Sequence, residues 1–122
     1  MITEDYVSFA ISKLLKEKGF DENCAALYDL RNGEFCEKQT GCVFNNSQWE
    51  NFITAPTYQM VMKWLREIHK LFITIDWTGY ENEYIWSIQD MNSGMCWESD
   101  EIYILYEHAC EAAILFCLGN LI

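Results

Sequence analysis

The chain has 122 residues and a formal net charge of −11, with 51% hydrophobic and 16% aromatic residues. Such an aromatic content excludes a disordered acidic tail, and the length fits a single domain, residues 1–122, with a core of its own. All eight Lys and Arg residues lie within residues 1–70, so residues 71–122 carry nine acids and no basic residue. A surface of one sign repels nucleic acid and anionic lipid, so we expect neither as a direct partner.

The sequence predicts neither a membrane-spanning helix nor a signal peptide. Its longest apolar run, Ala112 to Leu118, has seven residues, far below the roughly 20 that a membrane-spanning helix needs. Glu4 and Asp5 stand where a signal peptide carries positive charge, so the expected location is the cytoplasm. The six cysteines, none of them in a Cys-x-x-Cys pair, are then expected to be reduced.

The first predicted helix begins at Thr3, a good N-cap, with Glu4 and Asp5 in its first turn. Gly19 is expected to end it in a left-handed conformation, with Phe20 packing back onto the helix. The spacing of the apolar positions predicts one buried stripe. Its members are Val7, Ala10, Ile11, Leu14 and Leu15.

A short β-hairpin is predicted next. Its strands are residues 24–30 and 34–36, and Arg31-Asn32-Gly33 supplies the turn. Residues 37–51 have the composition of a loop.

The second predicted helix begins at Thr54-Ala55-Pro56, with the only proline in its first turn. Its polar residues collect in an arc of about 100° on a helical wheel. The apolar arc covers about half the circumference, wider than a helix resting on one surface needs. We therefore expect a central helix that contacts a sheet and either another helix or a partner chain. The apolar arc consists of Tyr58, Met60, Val61, Met62, Trp64, Leu65, Ile68 and Leu71.

A second hairpin follows, with strands at residues 72–77 and 84–88 and a connection at residues 78–83. Alternation places two sets of residues on opposite faces of this hairpin. One face carries Ile73, Ile75, Trp77, Tyr84, Trp86 and Ile88, and the other Thr74, Asp76, Ser87 and Gln89. Asn92-Ser93-Gly94 marks a further turn, after which residues 95–97 are expected to add a short third strand.

The last predicted helix has Ser99 as its N-cap, followed by Asp100 and Glu101, and ends at Gly119. Residues 102–105 fit either its first turn or a strand before a shorter helix. Its apolar face is predicted to contain Ile102, Leu105, Tyr106, Ala109, Ala113, Phe116 and Cys117. The whole chain thus reads as an α+β protein, an antiparallel sheet with three helices in the order α-ββ-α-ββ-α.

Residues 54–69 and 106–122 resemble a family of small uncharacterised proteins from phages, prophages and mobile elements of gut bacteria, and residues 13–22 fit the same pattern. The most specific match is Ala-Pro-Thr-Tyr-Gln-Met-Val-Met-Lys-Trp-Leu-Arg-Glu at residues 55–67. The resemblance implies an accessory protein of viral origin in the cytoplasm of a bacterial host. It implies no activity and no catalytic residue.

No catalytic, cofactor-binding or metal site is predicted, so we expect a protein that is not an enzyme. The only histidines, His69 and His108, adjoin no nucleophile motif. Cys36 and Cys42 are separated by five residues, outside the usual spacing of structural zinc ligands.

The leading hypothesis is a non-enzymatic protein-interaction module that we expect to self-associate. Its candidate interface is Tyr58, Met60, Met62, Trp64, Trp77 and Trp86, because partly exposed Tyr and Trp dominate protein interfaces. The alternative is an acidic decoy that mimics nucleic acid and occupies a basic groove of a host protein. Its candidate acidic surface is Asp76, Glu81, Glu83, Asp90, Glu98, Asp100 and Glu101. Expected partners are therefore a basic host protein or a second copy of the chain.

Overall fold

The structure is a computed structural model that describes residues 5–37, 43–47 and 50–122. This described part is an α+β protein with three α-helices and two three-stranded antiparallel sheets, which confirms the predicted fold class. The chain divides into two compact units, Met1–Thr57 and Tyr58–Ile122.

The first helix, α1, spans Phe9–Glu17 and begins later than predicted. Ser8 is its N-cap, and the Ser8 hydroxyl accepts a hydrogen bond of 3.2 Å from the Ile11 N–H. The predicted start at Thr3, which lies outside the described residues, is wrong because the chain before Ser8 is bonded to another segment. Tyr6 pairs with Thr57 in an antiparallel bridge, and the Val7 N–H donates to the Pro56 carbonyl at 2.9 Å.

The end of α1 is as predicted. Gly19 has a φ of +87°, a conformation that favours glycine. The Gly19 N–H donates to the Lys16 carbonyl, and the Phe20 N–H donates to the Leu15 carbonyl at 2.9 Å. This pair of bonds is the Schellman arrangement, which satisfies the last carbonyls of the helix. Phe20 is buried, as the predicted back-packing requires. In the predicted stripe, Val7, Ile11 and Leu15 are buried, Leu14 is half-buried, and Ala10 is exposed.

The sheet of the first unit has the strand order β2-β1-β3. Its strands are β1 (Ala26–Asp29), β2 (Phe35–Glu37) and β3 (Phe52–Thr54). Strands β1 and β2 form the predicted hairpin, with Tyr28 opposite Phe35 and Gly33 at a φ of +75° in the turn. Strand β3 was not predicted. It pairs with β1, placing Ile53 opposite Tyr28.

The second unit begins with the second helix. Its elements are α2 (Tyr58–Ile68), β4 (Leu71–Trp77), β5 (Tyr84–Asp90), β6 (Cys96–Glu98) and α3 (Tyr106–Phe116), followed by a π-helical turn at Cys117–Leu121. The predicted start of α2 at Thr54 is wrong, because Thr54 belongs to β3 and the Ala55 N–H donates to the Ala26 carbonyl at 2.9 Å. Pro56 precedes the helix instead of lying in its first turn.

Helix α2 packs against β4 and α3, which agrees with the prediction that it contacts both a sheet and a helix. Its buried residues are Val61, Met62, Trp64 and Leu65. Ile68, which was predicted to belong to the apolar face, is 60% exposed.

In the sheet of the second unit, β4-β5-β6, the β4–β5 hairpin has the predicted alternation of faces. Ile75 lies opposite Trp86 and Trp77 lies opposite Tyr84, so these side chains share a face. The Trp86 ring lies 5.2 Å from that of Phe116 in α3, which identifies this face as the helix face. The opposite side of the sheet is called the outer face below. The predicted third strand is confirmed as β6, which pairs with β5.

Helix α3 begins at Tyr106, so the predicted N-cap at Ser99 is wrong. The Ser99 hydroxyl instead accepts from the Trp86 N–H at 3.2 Å, and the Ser99 N–H donates to the Trp86 carbonyl at 3.0 Å. Tyr103 forms an antiparallel bridge with Tyr84, so the alternative of an extended segment before a shorter helix holds there. Gly119 does not end α3, because the π-helical turn starts at Cys117 and contains it.

The predicted apolar face of α3 is correct only in part. Ala109, Ala113 and Cys117 are buried. Ile102 and Leu105 precede the helix and are exposed. In the part of the chain that the structure describes, no helix is long and apolar enough to cross a membrane.

Candidate protein-interaction surface

The structure divides the predicted interface between core and surface. Met62, Trp64 and Trp86 are buried, so half of that predicted surface belongs to the core. The reason is that α2 packs on β4 and α3 while Trp86 lies against Phe116. Tyr58 and Met60 are half-buried. The sixth residue, Trp77, is 61% exposed, and its indole N–H donates to the Glu81 carbonyl at 2.7 Å.

The predicted acidic residues lie in several places. Asp76 on β4 and Glu98 on β6 point to the outer face, because they lie opposite Ile85 and Ser87 respectively. Strand β5 separates them, so their strands are about 9–10 Å apart. Asp90 builds a turn, since its carboxylate accepts from the Asn92 N–H at 2.8 Å. Hydrogen bonds from the backbone of that turn lower the pKa of Asp90.

The remaining predicted acids lie in two connecting segments. Glu81 and Glu83 belong to the loop between β4 and β5, where the Glu83 carboxylate accepts from the Thr78 hydroxyl at 3.4 Å. Asp100 and Glu101 are exposed in the connection between β6 and α3. The acids of the second unit therefore form no single row.

A bulge displaces Asp100 and Glu101 from the edge of the sheet. Ser99 is bonded to Trp86 and Tyr103 to Tyr84. Between those two attachment points β5 has one residue, whereas the facing chain has the three residues 100–102. Extra residues on one side of an antiparallel pair are pushed out of the ladder. Asp100 and Glu101 therefore lie outside the ladder, and both are exposed.

Residues Ile102–Leu105 form what we call the pre-helix segment, and its aliphatic side chains are unusually exposed. The exposed fractions are 57% for Ile102, 73% for Ile104 and 49% for Leu105. Tyr103 anchors the segment, because its N–H and carbonyl each form a 2.8 Å hydrogen bond with Tyr84. Adjacent exposed apolar side chains of this kind are typical of interaction sites on soluble proteins.

The helix start after this segment lacks a side-chain cap. Leu105 occupies the N-cap position of α3, and no side chain bonds the first turn there. Among the described residues, the N–H groups of Tyr106 and Glu107 have no hydrogen-bond partner. A Ser, Thr, Asp or Asn at an N-cap typically stabilises a helix by about 1 kcal/mol over an apolar residue. The pre-helix segment is therefore not optimised for the stability of α3.

Aromatic side chains continue the surface on the helix face. Trp77, Tyr84 and Tyr103 lie side by side across three neighbouring chain segments. The Tyr84 ring packs edge-to-face on Tyr106, with 5.7 Å between ring centroids. The pre-helix segment was not among the predicted interface residues, because helical spacing assigned Ile102 and Leu105 to a buried face. The sequence feature that could have indicated this segment is the apolar run Ile102–Tyr106, which contains no Ser, Thr, Asp or Asn to cap a helix.

The described residues bring together no cluster of metal-binding side chains. Within them no group of three or more His, Cys, Asp or Glu could hold a metal ion, and Cys42 lies outside them. His69 packs edge-to-face on Trp64 at 4.7 Å, and burial lowers its pKa. Burial raises the pKa of Cys24 to about 11 and that of Cys117 to about 12, which disfavours the reactive thiolate at neutral pH.

No protein-family model, curated protein or solved structure matches this chain. Its function must therefore be inferred from its own surface chemistry. Exposed aliphatic side chains adjoin acids there, and residues 71–122 contain no Lys or Arg.

Proposed function

We propose that the protein is a non-enzymatic protein-interaction module that binds a basic partner protein through the pre-helix segment. One observation carries this proposal: the exposed side chains of Ile102, Ile104 and Leu105 adjoin the exposed acids Asp100 and Glu101. Apolar contact supplies affinity, while complementary charge selects the partner and speeds association.

The charge of the second unit favours a basic partner over a second copy of this chain. Residues 71–122 contain nine acids and no Lys or Arg. Two copies joined through this surface would bring Asp100 and Glu101 of one copy near the same acids of the other, and like charges in an interface disfavour association. Self-association is therefore the less favoured form of the interaction.

The biological setting of the proposal rests on the family resemblance alone. A protein of that kind would act as an accessory protein of a phage or mobile element in the cytoplasm of its bacterial host. Its partner would then be a basic host protein.

The acidic decoy remains the alternative function, but the placement of the acids gives it little support. A nucleic-acid mimic needs carboxylates in rows that match a phosphate backbone. Here Asp76 and Glu98 lie on opposite edge strands, and Asp90 is engaged in a turn. Asp100 and Glu101 project from a bulge beside apolar side chains.

Affinity capture with matched charge variants tests the proposal. The tagged protein is compared with D100N/E101Q and with D76N/E98Q, two variants that remove the same charge from different places. We expect the wild type and D76N/E98Q to bind the same purified basic protein, first captured from a bacterial lysate, and D100N/E101Q to bind it weakly. Equal loss in both variants would support the decoy. No binding of any basic protein at low salt would contradict the proposed function.

A further inference from the structure

We infer that the partner binds by adding an antiparallel β-strand to the outer edge of the pre-helix segment, and that this strand alternates apolar residues with Lys or Arg. The inference rests on the proposed function and specifies its binding mode. The backbone of Ile102 and Ile104 would pair with the added strand, and the acids on either side of the segment would attract its basic residues.

The backbone argument begins at Tyr103. Both of its main-chain groups are bonded to Tyr84 and therefore point toward β5. The C=O and N–H of one planar trans peptide point in opposite directions, so the Ile102 carbonyl and the Ile104 N–H point away from the sheet. The described residues offer neither of them a backbone hydrogen-bond partner. An unpaired edge of this kind is a template for another strand.

The side chains of the segment also suit an added strand. Tyr103 faces the same side as Tyr84, which contacts Tyr106 of α3. Its neighbours Ile102 and Ile104 are both mainly exposed. In an antiparallel pair, residues that exchange hydrogen bonds carry their side chains on the same face. The partner residues opposite Ile102 and Ile104 would thus be the apolar ones.

Charge complementarity determines the other positions of the added strand. Asp100 and Glu101 come directly before the segment, and Glu107 follows it after Tyr106, in the first turn of α3. Within the described residues, no ion pair with a Lys or Arg engages these three acids. A strand bearing Lys or Arg at every second residue therefore meets acids at both ends of the segment.

The other edge of this sheet, β4, offers less to such a partner. Phe72 and Trp77 of β4 are exposed, but the strand contains a single acid, Asp76, so it offers less opposite charge to a strand bearing Lys or Arg. Part of this edge is already in place before binding, because Tyr103 is bridged to Tyr84, while the chain bends at Ile104 and Leu105. A backbone that is already held at the sheet loses less entropy on association.

The test uses fluorescently labelled ten-residue peptides in which lysine alternates with valine, isoleucine, tyrosine or threonine. Binding to the full chain is measured by fluorescence anisotropy at low salt. The tightest peptide is then made in two N-methylated forms with equal charge and side chains, one methylated on the apolar residues and one on the lysines. Only the apolar residues direct their N–H groups toward Ile102 and Ile104 in the inferred pairing.

We expect methylation of the apolar residues to weaken binding by about tenfold or more, since it removes several inter-strand hydrogen bonds. Methylation of the lysines should leave binding nearly unchanged. The variant I102Q/I104Q should bind the unmethylated peptide several-fold more weakly, whereas I68Q, which alters an equally exposed isoleucine on α2, should bind as the wild type does.

Equal binding of the two methylated peptides, or no binding by any peptide of the panel, would overturn the strand-addition inference. If the strand-addition inference fails but D100N/E101Q still does not bind the captured basic protein, the proposed function stands and only the binding mode is wrong. If the captured protein is also insensitive to D100N/E101Q, both fail.

Discussion

Helices α1 and α3 begin in opposite ways. At α1, Val7 is fully buried and precedes Ser8, whose hydroxyl caps the helix. At α3, Ile104 occupies the equivalent position, is 73% exposed, and precedes Leu105, which cannot cap. The Val7 carbonyl accepts a 2.6 Å hydrogen bond from the Tyr28 hydroxyl. Among the described residues, Ile104 has no such contact.

This difference separates a junction that stabilises the fold from one that stays free to bind. Apolar burial and a side-chain cap both stabilise the start of α1. The start of α3 has neither, although a single Ser or Asp at position 105 would supply the cap. A residue that disfavours the local structure, and provides no packing or hydrogen bond in return, is commonly part of a functional site.

The largest expected effect comes from truncating Val7, and the same truncation of Ile104 is its matched comparison. V7A should lower the free energy of unfolding by about 2 kcal/mol, because it removes two buried methyl groups and leaves a cavity. I104A should change it by less than about 0.5 kcal/mol, as exposed sites usually do. Urea unfolding followed by circular dichroism measures both. Equal losses would show that Ile104 supports the fold as Val7 does.

All three helix starts were predicted too early, and the cause is the same each time. Tyr6 and Val7 are bonded to residues 56–57, Ala55 to β1, and Ser99 and Tyr103 to β5. Capping preferences are local, whereas these strand-like pairings join residues that are distant in sequence. Thr3, Thr54 and Ser99 looked like caps because nothing in their neighbourhood reveals such a competing partner.

Features set by local chemistry were predicted well. The glycine end of α1, the Asn-Gly hairpin and the alternating faces of the β4–β5 hairpin depend on neighbouring residues or on a period of two. The interface was predicted less well. Composition indicates that some aromatic residues are exposed but not which ones, so Trp64 and Trp86 were placed at a surface that only Trp77 occupies to a large extent.

The core near α3 is expected to exclude water, although the start of this helix is exposed. Burial raises the pKa of Cys117 from 9.0 to about 12. Above pH 9 the unfolded chain therefore loses a proton that the folded chain keeps, and stability falls as pH rises. The loss should be about 1 kcal/mol at pH 10.

Unfolding of the wild type and of C117A between pH 8 and 10 checks this prediction. C117A should be less stable at pH 8, because it leaves a cavity, but its stability should fall less steeply with pH. Identical slopes would show that the Cys117 thiol is accessible to water in the folded protein.

Exchanging the caps should give smaller effects of opposite sign. S8A should destabilise the protein by about 1 kcal/mol, and L105S should stabilise it by up to about that amount. L105S should at the same time weaken binding of the lysine-containing peptides, because it removes an exposed apolar contact. Thermal unfolding and anisotropy measure the two quantities. A destabilising L105S would show that Leu105 contributes to the fold and would weaken its assignment to a binding surface.

Amide hydrogen exchange, followed residue by residue by NMR, tests the central claim most directly. In the free protein the amides of Ile102 and Ile104 should exchange rapidly, while that of Tyr103, bonded to Tyr84, should be slower. Saturation with the tightest lysine-containing peptide should slow exchange at Ile102 and Ile104 more than anywhere else in the second unit. Protection confined to other residues, or unchanged exchange at both isoleucines with the peptide bound, would contradict the account.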